Sequence, residues 1–349
     1  MKFHQNSAYP TALDGLFYCA SPLQILSAYE ARQHFNLKDC LLLLNSFLSN
    51  EHGGHNYYLD LVSDLGWERV ITLDRSKRSR FFSQVNVLKT IEQISFSKAF
   101  IGEWSSFGRM IYWAGKFHDG FLLDDGVATL RQQREIVDPH IHLPWRKRVR
   151  DLLRDARFFP FGYQKRAKPV ISFFSTMVKE PLKRERLVSH DFHHLRKAFA
   201  QSASGTGGPA VFLGTHLDSH PEFSFEKLGA MHVFAAERFK EALPFDLYLH
   251  RSESIDRVSC FVPKCSYRIH SYTEPIEVRI LRLGLQPRLI VSPMSSGLIT
   301  LKALCPESRV VALDVRGFLD SPDQAGWVYE LFASHDIEVI QVPVPWSVT

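Results

Sequence analysis

The chain has 349 residues, is 45% hydrophobic and 23% charged, and carries a formal net charge of +5. That length holds two domains of ordinary size, and that apolar content excludes global disorder. The mild positive balance suits an anionic partner such as a nucleotide, an acidic sugar or an anionic membrane face, and is too weak to indicate nucleic acid.

Residues 15–20 read as a strand and 22–35 as a helix, with Ser21 as N-cap and Pro22 at the first helical position. Strands follow at 40–45, 69–73 and 98–102. Between and after them lie helices at 56–65 (closed by Gly66), 82–93 and 107–116. Phe121-Leu122-Leu123 then reads as a buried parallel strand that runs into Asp124-Asp125-Gly126. Residues 145–168 change character, with nine Lys or Arg against two Asp, interleaved with Trp145, Phe158, Phe159, Phe161 and Tyr163. Gln201 to Pro209 (QSASGTGGP) is a low-complexity linker. The alternation restarts with strands at 210–214, 246–250, 289–292, 310–314 and 337–342, and helices at 225–242, 277–284 and 296–305. This order predicts an α/β protein of two doubly wound, Rossmann-like parallel-sheet domains. They span 1–200 and 210–349, face a central cleft, and the last residues pack back on the first domain.

In open α/β sheets ligands bind at the carboxyl ends of strands. Four turns there carry chemistry. A carboxylate of Asp124-Asp125-Gly126 can take a proton from a substrate hydroxyl, or the pair can simply cap the helix that begins at Val127. Ser295 and Ser296, between a strand and a helix, can join backbone N–H groups in an anion site for a phosphate, or serve as plain N-caps. His250 and Arg251 end another strand. They can protonate and neutralise a departing phosphate, or be a surface His beside an Arg251–Glu253 ion pair. Ser21 and Gln24 put a hydroxyl and an amide at the first strand-to-helix turn, lining the same cleft or acting as punctuation only.

No Gly-x-Gly-x-x-Gly follows the first strand, and there is no Walker loop and no Gly-x-Ser-x-Gly elbow. A dinucleotide oxidoreductase, a P-loop enzyme and a serine hydrolase of that type are disfavoured. Without an Asp-x-Asp, a metal-held sugar diphosphate is disfavoured too. His140-x-His142 and His190-Asp191-Phe192-His193-His194 lack a third ligand at a recognised spacing, so no metal is expected. The five cysteines form no Cys-x-x-Cys, which argues against a zinc ribbon or a disulfide framework. Cys19, Cys40 and Cys260 stand in apolar runs and are expected in the core. A polar N-terminus and no apolar run near the roughly 20 residues of a span predict a cytoplasmic protein.

Taken in order, the four turns resemble the bacterial sialyltransferases, especially the lipooligosaccharide sialyltransferase and polysialyltransferase group. The matching residues are Ser21-Pro22-Leu23-Gln24, Asp124-Asp125-Gly126, His250-Arg251 and Ser295-Ser296, and Phe100-Ile101-Gly102-Glu103-Trp104 is also similar. Each motif is short, so the specificity lies in the set and its order, across residues 15 to 315. Arg251 stands where many relatives carry proline.

The resemblance implies a GT-B glycosyltransferase with the acceptor base on the first domain and the donor site mainly on the second. It implies inverting, metal-independent transfer of sialic acid from CMP-sialic acid, with no cofactor. The acceptor would be a cell-surface glycan of lipooligosaccharide or capsule type, ending in galactose or sialic acid. Asp125 would be the base, with Asp124 as the other candidate. His250 would donate to the departing phosphate, and Ser295 and Ser296 would hold it, with Arg251 beside them. Ser21 and Gln24 would contact the sugar carboxylate or the acceptor, and Gly214 would lie close to the cytidine. Two other readings stay open: the same fold with CMP-Kdo or another CMP-nonulosonate, and a non-catalytic nucleotide- or glycan-binding protein. The basic, aromatic segment 145–168 fits a peripheral contact with an anionic membrane, on the cytoplasmic face of the inner membrane, or else a solvated loop or inter-domain packing. No nucleic acid partner is expected.

Overall fold

The computed structural model describes residues 10–45, 57–73, 80–126, 128–137, 145–163, 171–180, 186–199, 208–215, 217, 221–250, 252–271, 274–319 and 323–344. The chain divides into two compact units, Met1–His194 and Leu195–Thr349. The division falls just ahead of the predicted linker, whose residues 201–207 lie outside the described ones.

Among the described residues the first unit has seven strands: β1 (Ala12–Cys19), β2 (Cys40–Leu44), β3 (Arg69–Thr72), β4 (Ser95–Ile101), β5 (Lys116–Leu123), β6 (Ser172–Ser175) and β7 (Leu187–Ser189). They form one sheet in the order β3-β2-β1-β4-β5-β6-β7, and every pair is parallel. Its helices are α1 (Pro22–His34), α2 (Tyr57–Asp64), α3 (Arg80–Ile91), α4 (Ser106–Ala114), α5 (Ala128–Val137), α6 (Trp145–Ala156) and α7 (His193–Phe199), which runs into the second unit. All five residues of β2, CLLLL, are buried, as a strand covered on both faces requires. An aromatic ladder crosses the sheet centre. Phe17, Phe100 and Phe121 are register partners on β1, β4 and β5. Their rings stack at 4.5 Å (4° between planes) and 5.1 Å (13°), each contact adding about 0.5–1.5 kcal/mol beyond its buried area. The ladder holds the carboxyl ends of the three central strands level.

The second unit has β8 (Ala210–Leu213), β9 (Phe245–Tyr248), β10 (Tyr267–His270), β11 (Leu289–Ser292), β12 (Arg309–Asp314) and β13 (Glu338–Gln341), all parallel, in the order β10-β9-β8-β11-β12-β13. Its helices are α8 (Phe225–Arg238), α9 (Ile255–Val258), α10 (Ile276–Leu283), α11 (Gly297–Leu304) and α12 (Asp323–Ser334). The core gathers Phe212, Phe245 and Tyr267 around His232, which is buried with them.

The two predicted doubly wound sheets are present, and three expectations need amendment. β6, β7 and β10 were not anticipated: they are three or four residues long, and β10 (YRIH) alternates polar and apolar side chains at the sheet edge. Of the alternatives to a membrane contact left open for the basic segment, a loop falls away over residues 145–156, which form the helix α6. Cys19 and Cys40 are buried, whereas Cys260 is exposed, because the short α9 ends there at the surface.

Candidate active site

Strand order reverses between β1 and β4 in the first sheet and between β8 and β11 in the second. The crevice outside the carboxyl ends at such a switch point is where a doubly wound sheet takes its ligand. Each unit brings part of the predicted set to its own switch point.

In the first unit, Ser21 caps α1 by accepting the N–H of Gln24 (3.3 Å), with Pro22 at the first helical position. This turn fixes Gln24, which is buried. The N–H of Ala20 donates to its Oε1 (2.6 Å), so its amide nitrogen must point the other way, and Nε2 donates to Oδ1 of Asp125 (2.8 Å). Gly102, at the end of β4, leaves the room: a Cβ there would lie 2.6 Å from Cδ of Gln24. The structure thus gives the Gln24 amide to Asp125, whereas the sequence assigned it to a ligand. Asp125 is half-buried. Its N–H donates to Oγ1 of Thr129 (2.7 Å), and Gly126 follows at φ 62°, a left-handed turn that glycine adopts without strain.

Asp124 is a different kind of acid. It is fully buried, and it accepts the hydroxyl of Ser175, the N–H of Thr176 (2.6 Å) and the hydroxyl of Thr176 (2.9 Å). Ser175 Oγ in turn accepts the N–H groups of Met177 and Val178 (both 2.9 Å). Burial pushes the Asp124 carboxyl up to about 6, against the opposing pull of these hydrogen bonds. Asp124 therefore pins the end of β5 to the end of β6 and is shut off from solvent. His190 lies beside it, stacked on Phe174 (4.2 Å, 10°) with Nε2 3.9 Å from Asp124 Oδ2. Burial lowers His190 to about 3, so it is a neutral packing residue and makes no ion pair. Among the described residues, no group of three His, Cys, Asp or Glu converges on a metal position. His140 and His142 lie outside the described residues.

In the second unit a cavity of about 350 Å³ opens at the switch point, and Gly214, His250, Ser295 and Ser296 all line it. Four positions spread over some eighty residues of sequence therefore meet at one place. Arg251 lies outside the described residues. Ser292 Oγ donates to the carbonyl of Leu213 (3.0 Å), tying β11 to β8 beneath the cavity. Glu253 joins two of its rims, its carboxylate accepting the N–H of His250 (2.7 Å) and of Thr215 (3.3 Å). A Cβ on Gly214 would run into that carboxylate and lie 2.7 Å from the His250 nitrogen. The Ser252 N–H donates to His250 Nδ1 (3.3 Å) and its hydroxyl sits 2.7 Å from the same atom. Nδ1 is thus an acceptor, and the neutral ring carries its proton on Nε2. Opposite, Ser295 Oγ accepts the N–H of Gly297 (3.2 Å), whereas Ser296 makes no capping bond with its side chain.

No protein-family model matches the chain, and no curated protein matches it in sequence. Solved structures do resemble it. One is an α/β-galactoside α-2,3-sialyltransferase from the marine bacterium Photobacterium phosphoreum, with a TM-score of 0.50 and 11% identity, covering 95% of this chain and 99% of that one. Another is described as a UDP-N-acetylglucosamine 2-epimerase from Listeria monocytogenes, with a TM-score of 0.50 and 11% identity over 93% and 88% of the two chains. A third is the GT-B domain of a sialyltransferase from Photobacterium damselae, at 0.48 and 11% over 94% and 100%. The chain has the GT-B fold. At this identity the likeness speaks for the fold alone, since a transferase and an epimerase share it.

Sequence reasoning missed Glu277. It lines the cavity from the first turn of α10, with Thr300 Oγ1 donating to Oε1 (3.0 Å), and burial pushes its carboxyl up. An acid in a helix's first turn reads as a complement to the helix dipole, and nothing in the pattern marks it as facing a cavity. Glu253 was visible only as a partner for Arg251, because its use by two backbone N–H groups depends on how the β8 and β9 ends meet.

Proposed function

We propose that the protein is a glycosyltransferase that moves sialic acid from CMP-sialic acid to a hydroxyl of a glycan acceptor, with inversion and without a metal. The cavity that gathers His250, Ser295, Ser296 and Glu277 carries this reading. Its volume lies in the range of small-molecule sites. The phosphate of CMP would meet the Ser295–Ser296 turn at the start of α11, where backbone N–H groups and hydroxyls suit an anion. His250 would keep its Nε2 proton and donate it as a hydrogen bond to a phosphate oxygen, where charge builds as the bond to the sugar breaks. A departing monophosphate gathers less charge than a diphosphate, so protein donors suffice. Glu277 supplies a carboxylate acceptor for the vicinal hydroxyls of the ribose. On the first unit, Asp125 would take the proton of the attacking hydroxyl, its carboxylate oriented by Gln24. Buried Asp124 has the place of an anchor and not of a base. The acceptor class, a cell-surface glycan ending in galactose or sialic acid, follows from the motif resemblance.

The test is CMP release from CMP-sialic acid with a galactoside acceptor in the presence of EDTA. Release in EDTA that falls at least about a hundredfold in Asp125→Ala supports the reading. CMP-Kdo and a second nonulosonate donor in the same assay define the sugar. CMP binding with no turnover of any donor would make the protein a nucleotide-binding module. Because the Listeria protein shares the fold, an epimerase is the second activity to test. Incubation with UDP-N-acetylglucosamine, followed by NMR, decides it, and no epimer is expected.

A further inference from the structure

The helix α6 is built the wrong way round for a helix of a globular core. Its four long apolar side chains, Trp145, Val149, Leu152 and Leu153, are 68%, 45%, 62% and 67% exposed. They fall at i, i+4, i+7 and i+8, on one face. The protein grips the helix elsewhere. Asp155 pairs with Arg109 through two bonds (2.7 and 3.1 Å), Arg109 also donates to the carbonyl of Trp104 (3.1 Å), and Phe158 is buried just beyond the helix end. A polar contact is turned inward and the apolar row outward.

The charge around that row is one-sided. Residues 145–157 hold six Arg or Lys against Asp151 and Asp155, and Asp155 is already matched by Arg109. Arg146, Arg150 and Arg154 border a shallow groove together with Trp145, Val149 and Leu153. The apolar surface continues past the helix. Phe159 and Phe161 are exposed, and Phe81 of α3 touches the rings of Phe158 (5.2 Å) and Phe161 (5.5 Å).

We propose that this face docks the protein on an anionic lipid bilayer. The Trp, Leu and Phe side chains would enter the boundary between headgroups and acyl chains, while the arginines meet lipid phosphates. The charge decides among occupants. A second copy meeting this face through a two-fold axis would set arginines against arginines, whereas a bilayer supplies apolar depth and negative charge together. Among the described residues no helix is long and apolar enough to cross a membrane, and the contact proposed is a peripheral one. The inference does not depend on the reaction proposed above.

Flotation of the full-length chain with vesicles tests it. Vesicles of phosphatidylcholine with about one third phosphatidylglycerol should bind the protein at least about tenfold more than phosphatidylcholine alone, and added salt should weaken the binding. Leu152→Ser with Leu153→Ser, and separately Arg150→Glu with Arg154→Glu, should each reduce partitioning at least about tenfold while circular dichroism and melting temperature hold, because these side chains are exposed. No binding to anionic vesicles at low salt overturns the proposal. So does binding that both double variants retain. A dimer that sedimentation detects and that Leu152→Ser with Leu153→Ser abolishes assigns the face to a second copy instead.

Discussion

The amide of Gln24 holds the carboxylate of Asp125 at 2.8 Å, although 101 positions separate them in the chain. The first helix thereby orients an acid delivered by the fifth strand. Gln24→Met removes the donor at nearly constant volume. Turnover is expected to fall about tenfold, equivalent to about 1.4 kcal/mol of barrier, with KM little changed. Gln24→Glu keeps an acceptor for the Ala20 N–H but faces one carboxylate with another, and should cost more turnover than Gln24→Met. Steady-state kinetics on both variants checks the order.

The two adjacent acids should separate in a paired experiment. Asp124→Asn turns an NH2 or a poorer acceptor toward donors that now have a carboxylate, and Ser175 Oγ already accepts two N–H groups. A loss of about 2 kcal/mol of stability is expected. Asp125→Asn keeps an oxygen for Gln24 and should leave stability within about 0.5 kcal/mol, while turnover falls at least about a hundredfold. Denaturant melts read the first quantity and CMP release the second.

Acid should weaken the fold through buried histidines. Burial lowers His190 and His232 to about 3. An unfolded histidine titrates near 6.5, so below that pH the unfolded chain takes up protons that the folded chain refuses, and stability declines toward pH 3. Asp124, raised to about 6, acts in the opposite sense between about 4 and 6, where the folded chain holds the extra proton. Glu277, also raised by burial, acts in the same sense as Asp124, so the histidine contribution is read from its own variant. His232→Phe, in a site walled by Phe212 and Tyr267, should flatten the fall in melting temperature between about pH 7.5 and 5. An unchanged slope would remove His232 from the account.

Gly214 tests the cavity. An added methyl group meets the Glu253 carboxylate and the His250 backbone, so Gly214→Ala must push apart the two rims that Glu253 ties. CMP binding measured by calorimetry should weaken at least about tenfold, with the melting temperature lowered only modestly.

The alternation of short apolar runs with amphipathic ones was enough to anticipate both sheets, because a strand covered on both faces reads as an uninterrupted apolar run. Cys40–Leu44 and Leu289–Ser292 are of that kind. Edge strands such as Tyr267–His270 are half-exposed and lose that signal. The turns with Ser21, Asp124-Asp125, His250 and Ser295-Ser296 stood out as polar residues at strand ends. Their division of labour did not. Whether an acid faces inward or outward depends on which residue ends the ladder, and the Asp124 partners Ser175 and Thr176 lie some fifty residues away. The basic segment announced its charge, but not that α6 turns its apolar row to solvent, because a sequence pattern shows that a face exists and not which side the protein grips.

Asp124 and Asp125 follow directly on β5, yet only the first is turned into the fold. The two positions then answer to different demands over evolutionary time. A descendant that abandons chemistry and keeps only ligand binding can exchange the outward acid at little cost. It must retain the inward one, or replace Ser175 and Thr176 along with it. Among homologues, an unvarying first acid beside a drifting second one would mark lineages that have kept the architecture and given up the reaction.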